Sequence, residues 1–433
     1  MKFYNRDVEL KLLEKNDAQS HETACFQVVV GRRRIGKTSL LMESVKGKKV
    51  AYLFVMRKNE HLLCSEFQRL LEQIGLKIFG TVASFKDLFE QVMKYAIDEH
   101  FTLIIDEFQE FEYVNPSIFS DIQFVWDQYK SKINLIVCGS VYSLMTRIFE
   151  HNKEPLFGRL TSKLILQSFK VDTVKEILTD YNPNYKNEDL LCLYAVTGGV
   201  AKYIELLMDA KAKNKDEFLE FICRMDSPFL TEGKELLISE FGREYGTYFS
   251  ILQLIASGKT SQREIDSIVG KNTGAYLVNL EEDYSLIVRK RPLFSKPNSR
   301  NVKWALNDNY LQFWFRFIYP NQSLIEIARY DLLKEIIESG YEQYSGAVLE
   351  NYFREKLVSQ YRITEIGEYW DNKKQNEIDI VALNDMDREA FIAEVKRNPK
   401  EIDLIKLRSK SVVIKKELAN FRVAYLALSL EDM

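Results

Sequence analysis

The spacing of apolar and polar positions changes several times along the chain, and each change marks a new element. "CFQVVV", Cys25–Val30, is an apolar run cut off by Gly31. A short apolar run ended by a turn residue predicts a buried strand. "SLLMESV" then reads as the first turns of a helix, and "KKVAYLFVM", "FTLIID" and "INLIVCG" read as further buried strands. This order predicts an α/β fold built on a parallel sheet. From Val171 to Ser239 the apolar period is close to that of a helix ("VDTVKEIL", "NEDLLCLYAVT", "AKYIELLMDAKAKN", "DEFLEFICRM"), which predicts a helical lid. Tyr248–Leu306 reads as helix, turn at Ser257-Gly258, helix, turn at Gly270, helix and a two-stranded wing, the pattern of a winged helix. Near the end, "EIDIVAL" alternates as a strand and "AFIAEVKR" returns after the turn material "NDMDRE". The expected domains are therefore 1–170, 171–239, 240–307 and 308–433.

Composition narrows the classes without choosing among them. The chain of 433 residues is 46% hydrophobic and 28% charged, which is globular rather than disordered. Lys and Arg total 60 against 63 Asp and Glu, a formal charge of −3, so only local patches can speak for nucleic acid. No apolar run approaches the ~18 residues of a membrane span, and the N-terminal segment lacks a signal-peptide core. The five cysteines form no CxxC pair and read as buried thiols of a cytoplasmic protein.

The chemistry begins at "GRRRIGKT", Gly31–Thr38, which fits G-x-x-x-x-G-K-[ST] between a strand and a helix. The glycines let backbone N–H groups turn inward, and the helix N-terminus adds positive potential for phosphate. Gly31, Arg32, Arg33, Arg34, Ile35, Gly36, Lys37, Thr38 and Ser39 are the expected nucleotide contacts. Lys37 would reach the terminal phosphates, and the Thr38 hydroxyl would hold Mg2+. The strand "FTLIIDEFQEF" supplies Asp106 to orient the metal and Glu107 to polarise the attacking water. The Asp-Glu pair points to ATP hydrolysis with a carboxylate base. Ser140, after the strand from Ile133, is the expected γ-phosphate sensor, and capping the following helix is compatible with that role.

"FYNRDVELKLLEK", "GRRRIGKTSLL", "LIIDEFQEF", "LIVCGS", "PLFGRL" and "TGGVAKYIELL" occur in the order found in the archaeal-type ATPases, AAA-like and STAND-like P-loop proteins. The chain resembles that family over roughly residues 1–210. The resemblance implies ATP as the nucleotide, places Asn5 and Arg6 close to it, and makes Arg159 a γ-phosphate-sensing or finger arginine. The family's Gly-Gly segment usually carries a proline where this chain has Ala201, followed by Lys202.

Two further regions bear on partners. The third helix of the winged-helix pattern, "NTGAYLVNLEED", has no Lys or Arg and ends in three acids, which repel phosphate. Leu286–Lys303 instead holds Arg289, Lys290, Arg291, Lys296, Arg300 and Lys303 without an acid, so a wing touching a DNA backbone through Arg289, Lys290 and Arg291 is the expected contact. In the C-terminal hairpin, Glu394 and Lys396 share a strand face, and Asp379 lies on the partner strand. Two carboxylates and a lysine can hold Mg2+ and activate water against a phosphodiester. The segment resembles the PD-(D/E)xK restriction-endonuclease-like domains often fused to archaeal-type ATPases, with Ile378 where the motif has proline. That resemblance adds Glu350, on "GAVLENYFREKLV", to Asp379 and Glu394 as metal ligands, with Asp379, Glu394 and Lys396 catalytic.

Two functions follow as expectations. One is an ATPase that acts on or is regulated by DNA through a nuclease-like domain. The other is an ATP/ADP signalling switch whose C-terminal domain binds without cutting. Oligomeric state is open in both.

Overall fold

The computed structural model describes residues 1–433 except 242–244, 297 and 372–374. The chain divides into two compact units: Phe3–Ser168, and Phe169–Met433 together with Met1–Lys2. The helices over 171–239 group with the C-terminal residues rather than with the preceding sheet.

The first unit is a five-stranded parallel sheet of β1 (Cys25–Val30), β2 (Val50–Phe54), β3 (Phe101–Asp106), β4 (Ile133–Gly139) and β5 (Ser162–Ile165). Their order across the sheet is β2-β3-β4-β1-β5. β1, β3 and β4 are buried along their whole length, as a parallel sheet covered on both faces requires. One face, with Val29, Ile104 and Ile136, packs on the helices Asp7–Ser20 and Lys37–Ser44 through Leu13, Leu40 and Leu41. The other face carries the larger aromatic core, including Phe67, Phe85, Phe89 and Phe119. The strand that lies between the two nucleotide motifs in sequence, β2, sits at the sheet edge; the strand inserted between their strands in space is β4.

In the second unit the helices Tyr245–Ala256, Gln262–Val269 and Gly274–Glu282 precede an antiparallel hairpin of β6 (Ile287–Lys290) and β7 (Lys303–Leu306). A 31-residue helix, Tyr330–Gln360, leads into a four-stranded sheet of β8 (Glu365–Trp370), β9 (Glu377–Asn384), β10 (Glu389–Lys396) and β11 (Arg422–Ser429). Its order is β11-β10-β9-β8. β9 runs antiparallel to both β8 and β10, and β11 joins β10 in parallel. The helix Asn187–Thr197 is buried from Asp189 onward. A helix apolar on all sides belongs inside a core. It is tied to the long helix by Tyr194 Oη donating to Glu355 Oε1 at 2.5 Å and by Tyr344 Oη donating to the Ala195 carbonyl at 2.8 Å.

Candidate functional site

The C-terminal ends of β1, β3 and β4 converge where a doubly wound sheet binds ligands. Gly31 follows β1 against the chain after β5. A Cβ on Gly31 would lie 2.8 Å from the Leu166 carbonyl oxygen, so only glycine fits there. Gly36 has φ +100° and opens the helix Lys37–Ser44. Lys37 is buried; its ammonium donates to the Gly31 carbonyl at 2.8 Å and the Arg32 carbonyl at 3.2 Å. Burial lowers the pKa of Lys37. Ile35 is a core side chain that lends its backbone to the loop, whereas Arg33 and Ser39 are exposed.

Asp106 is 4% exposed, and both its oxygens are occupied. Oδ2 accepts from Thr38 Oγ1 at 3.1 Å and from Tyr52 Oη at 2.5 Å. Oδ1 accepts from Cys138 Sγ and from the Glu107 N–H, each at 2.8 Å. The register explains the thiol contact: Ile105 pairs with Val137, so Asp106 and Cys138 are level on adjacent strands and on one face. Burial, then the hydrogen bond to the Asp106 carboxylate, hold the Tyr52 phenol far above its usual range. Glu107 Oε2 accepts from Ser140 Oγ at 2.8 Å and from Gln109 Nε2 at 2.5 Å. Gln109 Oε1 is buried with no hydrogen-bond partner. This amide lies across Gly139, where a Cβ would sit 2.3 Å from Gln109 Oε1.

Four of the nine non-glycine residues with positive φ among the described residues lie in this region. Asn5, Arg6, Arg34 and Glu107 have φ of 52°, 78°, 67° and 53°, in the left-handed region that side chains avoid. Such strain persists only where the surroundings enforce it, and it clusters at functional sites. Arg6 is buried, donating to Glu9 Oε1 at 3.0 Å and to the Gln167 carbonyl at 2.7 Å. It therefore braces the segment against which Gly31 packs. Asn5 Oδ1 accepts the Arg6 N–H at 2.7 Å.

The structure brings Lys37, Thr38, Asp106, Glu107 and Ser140 together with the loop Gly31–Ser39. Thr38 beside a buried carboxylate, at the mouth of a phosphate loop, is a donor set that fits Mg2+ with a nucleotide. Arg159 is different: its guanidinium is engaged by Asp127, with Nη2 to Oδ2 at 2.7 Å and Nε to Oδ1 at 3.1 Å. The finger arginine expected there is held in a surface ion pair. Lys202 pairs with Glu205 in the same way. Sequence reasoning missed Tyr52, Gln109 and Cys138. Gln109 stood inside the quoted "DEFQEF", but only the folded turn shows that its amide returns to Glu107.

The C-terminal carboxylates and the wing each require a correction. Asp379 Oδ2 accepts from the Val395 N–H at 2.8 Å and from the Lys396 ammonium at 3.4 Å. Glu394 Oε2 accepts from the Asp403 N–H, while its Oε1 lies 4.0 Å from Lys396 and 3.7 Å from Lys410. Glu350 is 3.4 Å from Arg354; burial, then Asp379, push its carboxyl up to about 8. Among the described residues no three His, Cys, Asp or Glu side chains are placed to hold a metal ion. Glu350, Asp379 and Glu394 therefore do not form the expected Mg2+ site. A backbone N–H and Lys396 hold Asp379 Oδ2, a backbone N–H and two lysines flank Glu394, and Arg354 lies beside Glu350 Oε2. Lys396 and Glu350 do line one cavity of about 660 Å³, with Glu342, Arg397 and Glu401.

The second correction concerns the wing. Arg289 pairs with Glu281 at 2.7 Å and stacks on Trp304. Lys290 pairs with Glu368 at 2.6 Å, and Lys303 with Glu377 at 2.6 Å. The Leu293 N–H donates to the Glu368 carbonyl, which joins the segment after β6 to β8. Arg289 and Lys290 are thus half-buried ion-pair partners, while Arg291, Lys296 and Arg300 are exposed. No helix of the described residues is long and apolar enough to cross a membrane.

Comparison with known proteins gives this geometry a family. The family described as "ATPase domain predominantly from Archaea" matches residues 3–207. The family described as "Archaea bacterial proteins of unknown function" matches residues 314–405. An uncharacterized protein of Methanocaldococcus jannaschii is 32% identical over 426 residues, 94% of this chain and 90% of that relative. The Walker-type ATPase of Pyrococcus abyssi, at 18% identity, covers 72% of this chain and 96% of its own with a TM-score of 0.54, a likeness of fold. Strand order, phosphate loop and these matches agree, and the chain belongs to the archaeal-type P-loop ATPase family, with a C-terminal domain of unknown function that its Methanocaldococcus relative spans as well.

Proposed function

We propose that the chain binds ATP with Mg2+ at the C-terminal ends of β1, β3 and β4 and hydrolyses it. The observation that carries this is the unbroken chain of hydrogen bonds from Thr38 to Asp106, and through the strained Glu107 to Ser140, at the mouth of the phosphate loop. In this reading the loop N–H groups and Lys37 hold the phosphates, Thr38 and Asp106 hold the cation, and Glu107 takes the proton of the attacking water. Bound Mg2+ would neutralise charge on the terminal phosphates. Lys37 leaves the Gly31 and Arg32 carbonyls to do its work, and Glu107 must exchange Ser140 or Gln109 for water. The test is titration with a fluorescent ATP analogue in Mg2+. Wild type binds, and Lys37→Ala loses the affinity; equal affinity in both would overturn the reading.

The regions over 240–307 and 308–433 read as a winged-helix domain and a restriction-endonuclease-like domain through which DNA regulates ATP turnover. The exposed Arg291, Lys296 and Arg300 now carry that contact. Because Lys396 and Lys410 together offset the charges of Asp379 and Glu394, the C-terminal domain reads as binding a phosphodiester rather than cutting it. Stimulation of ATP turnover by DNA that weakens steeply with salt and is lost on charge reversal at Arg291, Lys296 and Arg300 supports this. Turnover indifferent to DNA favours a signalling switch with a protein partner. Mg2+-dependent nicking of DNA that disappears in Asp379→Ala would restore the nuclease.

A further inference from the structure

Tyr52 stands outside every motif of the chain, yet it makes the shortest of the hydrogen bonds to the buried carboxylate of the nucleotide site. Its ring packs with the core on the face of the sheet that carries Val29, Ile104 and Cys138. Tyr52 pairs with Ile104, and Phe54 with Asp106, so Tyr52 lies two residues below the carboxylate on the neighbouring strand. Two residues of strand rise about 6.6 Å, roughly the length of a tyrosine side chain. The phenol spans that rise and donates to Asp106 Oδ2 at 2.5 Å. Phenylalanine would fill the same space, so packing does not account for the hydroxyl.

The other oxygen is treated alike. Cys138, level with Asp106 on β4, donates its thiol to Oδ1 at 2.8 Å. The carboxylate is therefore clamped from the two strands that flank β3, by an O–H from β2 and an S–H from β4. Neither donor carries charge, so both fix its plane without cancelling its attraction for a cation. Thr38, which also donates to Oδ2, is free to give up that bond because Tyr52 remains.

We propose that Tyr52, with Cys138 as its counterpart, is a positioning residue that fixes Asp106 for Mg2+ in the nucleotide site. This rests on the ATP reading above, and the experiment separates the two. The affinity of the full chain for fluorescent ADP is measured in EDTA and over a Mg2+ titration, for wild type, Tyr52→Phe, Cys138→Ala and Cys138→Ser. A hydrogen bond to a charged group corresponds to about tenfold or more in an equilibrium constant. In Tyr52→Phe the affinity in EDTA stays at the wild-type value, while the Mg2+ concentration for half-maximal enhancement rises about tenfold. Cys138→Ala shifts it in the same direction by less, and Cys138→Ser, which keeps a donor, restores it. A Tyr52→Phe midpoint equal to wild type overturns the proposal while the ATP reading stands. Wild type that binds no nucleotide overturns both. Equal loss of affinity with and without Mg2+ in Tyr52→Phe also overturns it, since a distorted fold weakens the whole site; melting temperatures of the four proteins check the fold independently.

Discussion

Asp106 and Asp379 are both buried or half-buried carboxylates on a sheet strand, yet they keep opposite electrostatic company. Asp106 takes its hydrogen bonds from Tyr52, Thr38, Cys138 and the Glu107 N–H, all of them neutral, while the Lys37 ammonium faces carbonyl oxygens. Asp379 takes one backbone N–H and the Lys396 ammonium, and neighbouring Glu394 lies between Lys396 and Lys410. Neutral donors satisfy a carboxylate and leave its charge available to a divalent cation; ammonium groups satisfy it by cancelling that charge. A strand-end acid with a nearby lysine is therefore no evidence of a metal site until the donors around it are known.

The comparison can be broken at several points. The largest effect is expected at Lys37: its replacement by alanine should cut ATP turnover by about 100- to 1,000-fold, measured by phosphate release. Glu107→Gln should lower turnover by about 100-fold or more while leaving nucleotide affinity near wild type, separating base chemistry from binding in the same two assays. Gly139→Ala tests the amide that crosses it. The new Cβ would lie 2.3 Å from Gln109 Oε1 and 2.5 Å from Met145 Sδ, and a denaturant melt should show a loss of about 1–3 kcal/mol.

Two smaller effects sharpen the charge argument. At the opposite end of the first sheet, Asp17 accepts from Lys48, Thr102 and Asn134, and His100 stacks on His21 with ring centroids 3.6 Å apart. Burial, then His21, lower the pKa of His100 below 6.5, outweighing Asp17. A histidine with a depressed folded-state pKa favours the fold while neutral, so its contribution is present above the unfolded value and is lost as pH falls through the folded one. Melting temperatures at pH 7.5 and 5.5 should differ less in His100→Gln than in wild type. Lys396, whose side chain is 35% exposed, should matter least for stability: Lys396→Met is expected to cost no more than about 1 kcal/mol. A cost well above that in a denaturant melt would mean that the Asp379 pair is far more tightly coupled than its exposure allows.

The strands and the phosphate loop were legible because their signals are local. Apolar runs ended by glycine give the strands Cys25–Val30, Phe101–Asp106 and Ile133–Gly139, and Gly31, Gly36, Lys37 and Thr38 lie within one turn of chain. The C-terminal hairpin was equally readable, since its alternation is a property of each strand. Arg289 and Lys290 were misread for the opposite reason. Their run contains no acid, and the acids that claim them, Glu281 and Glu368, come from a preceding helix and from a strand 78 residues further on. Arg159 likewise met Asp127 across 32 residues.

By itself the sequence determined that a phosphate loop opens a helix, that a carboxylate pair ends a buried strand, and that Glu394 and Lys396 share one strand face of a late hairpin. Backbone conformation and side-chain period are set by neighbours a few residues away, so these could be read directly. Only the tertiary structure decided which donors reach each carboxylate: β2 and β4 flank β3 and bring Tyr52 and Cys138 to Asp106, while β10 brings Lys396 to Asp379. Strand order and register across a sheet set those meetings, and in a dry interior the charge of the partner that arrives decides what a carboxylate can still bind.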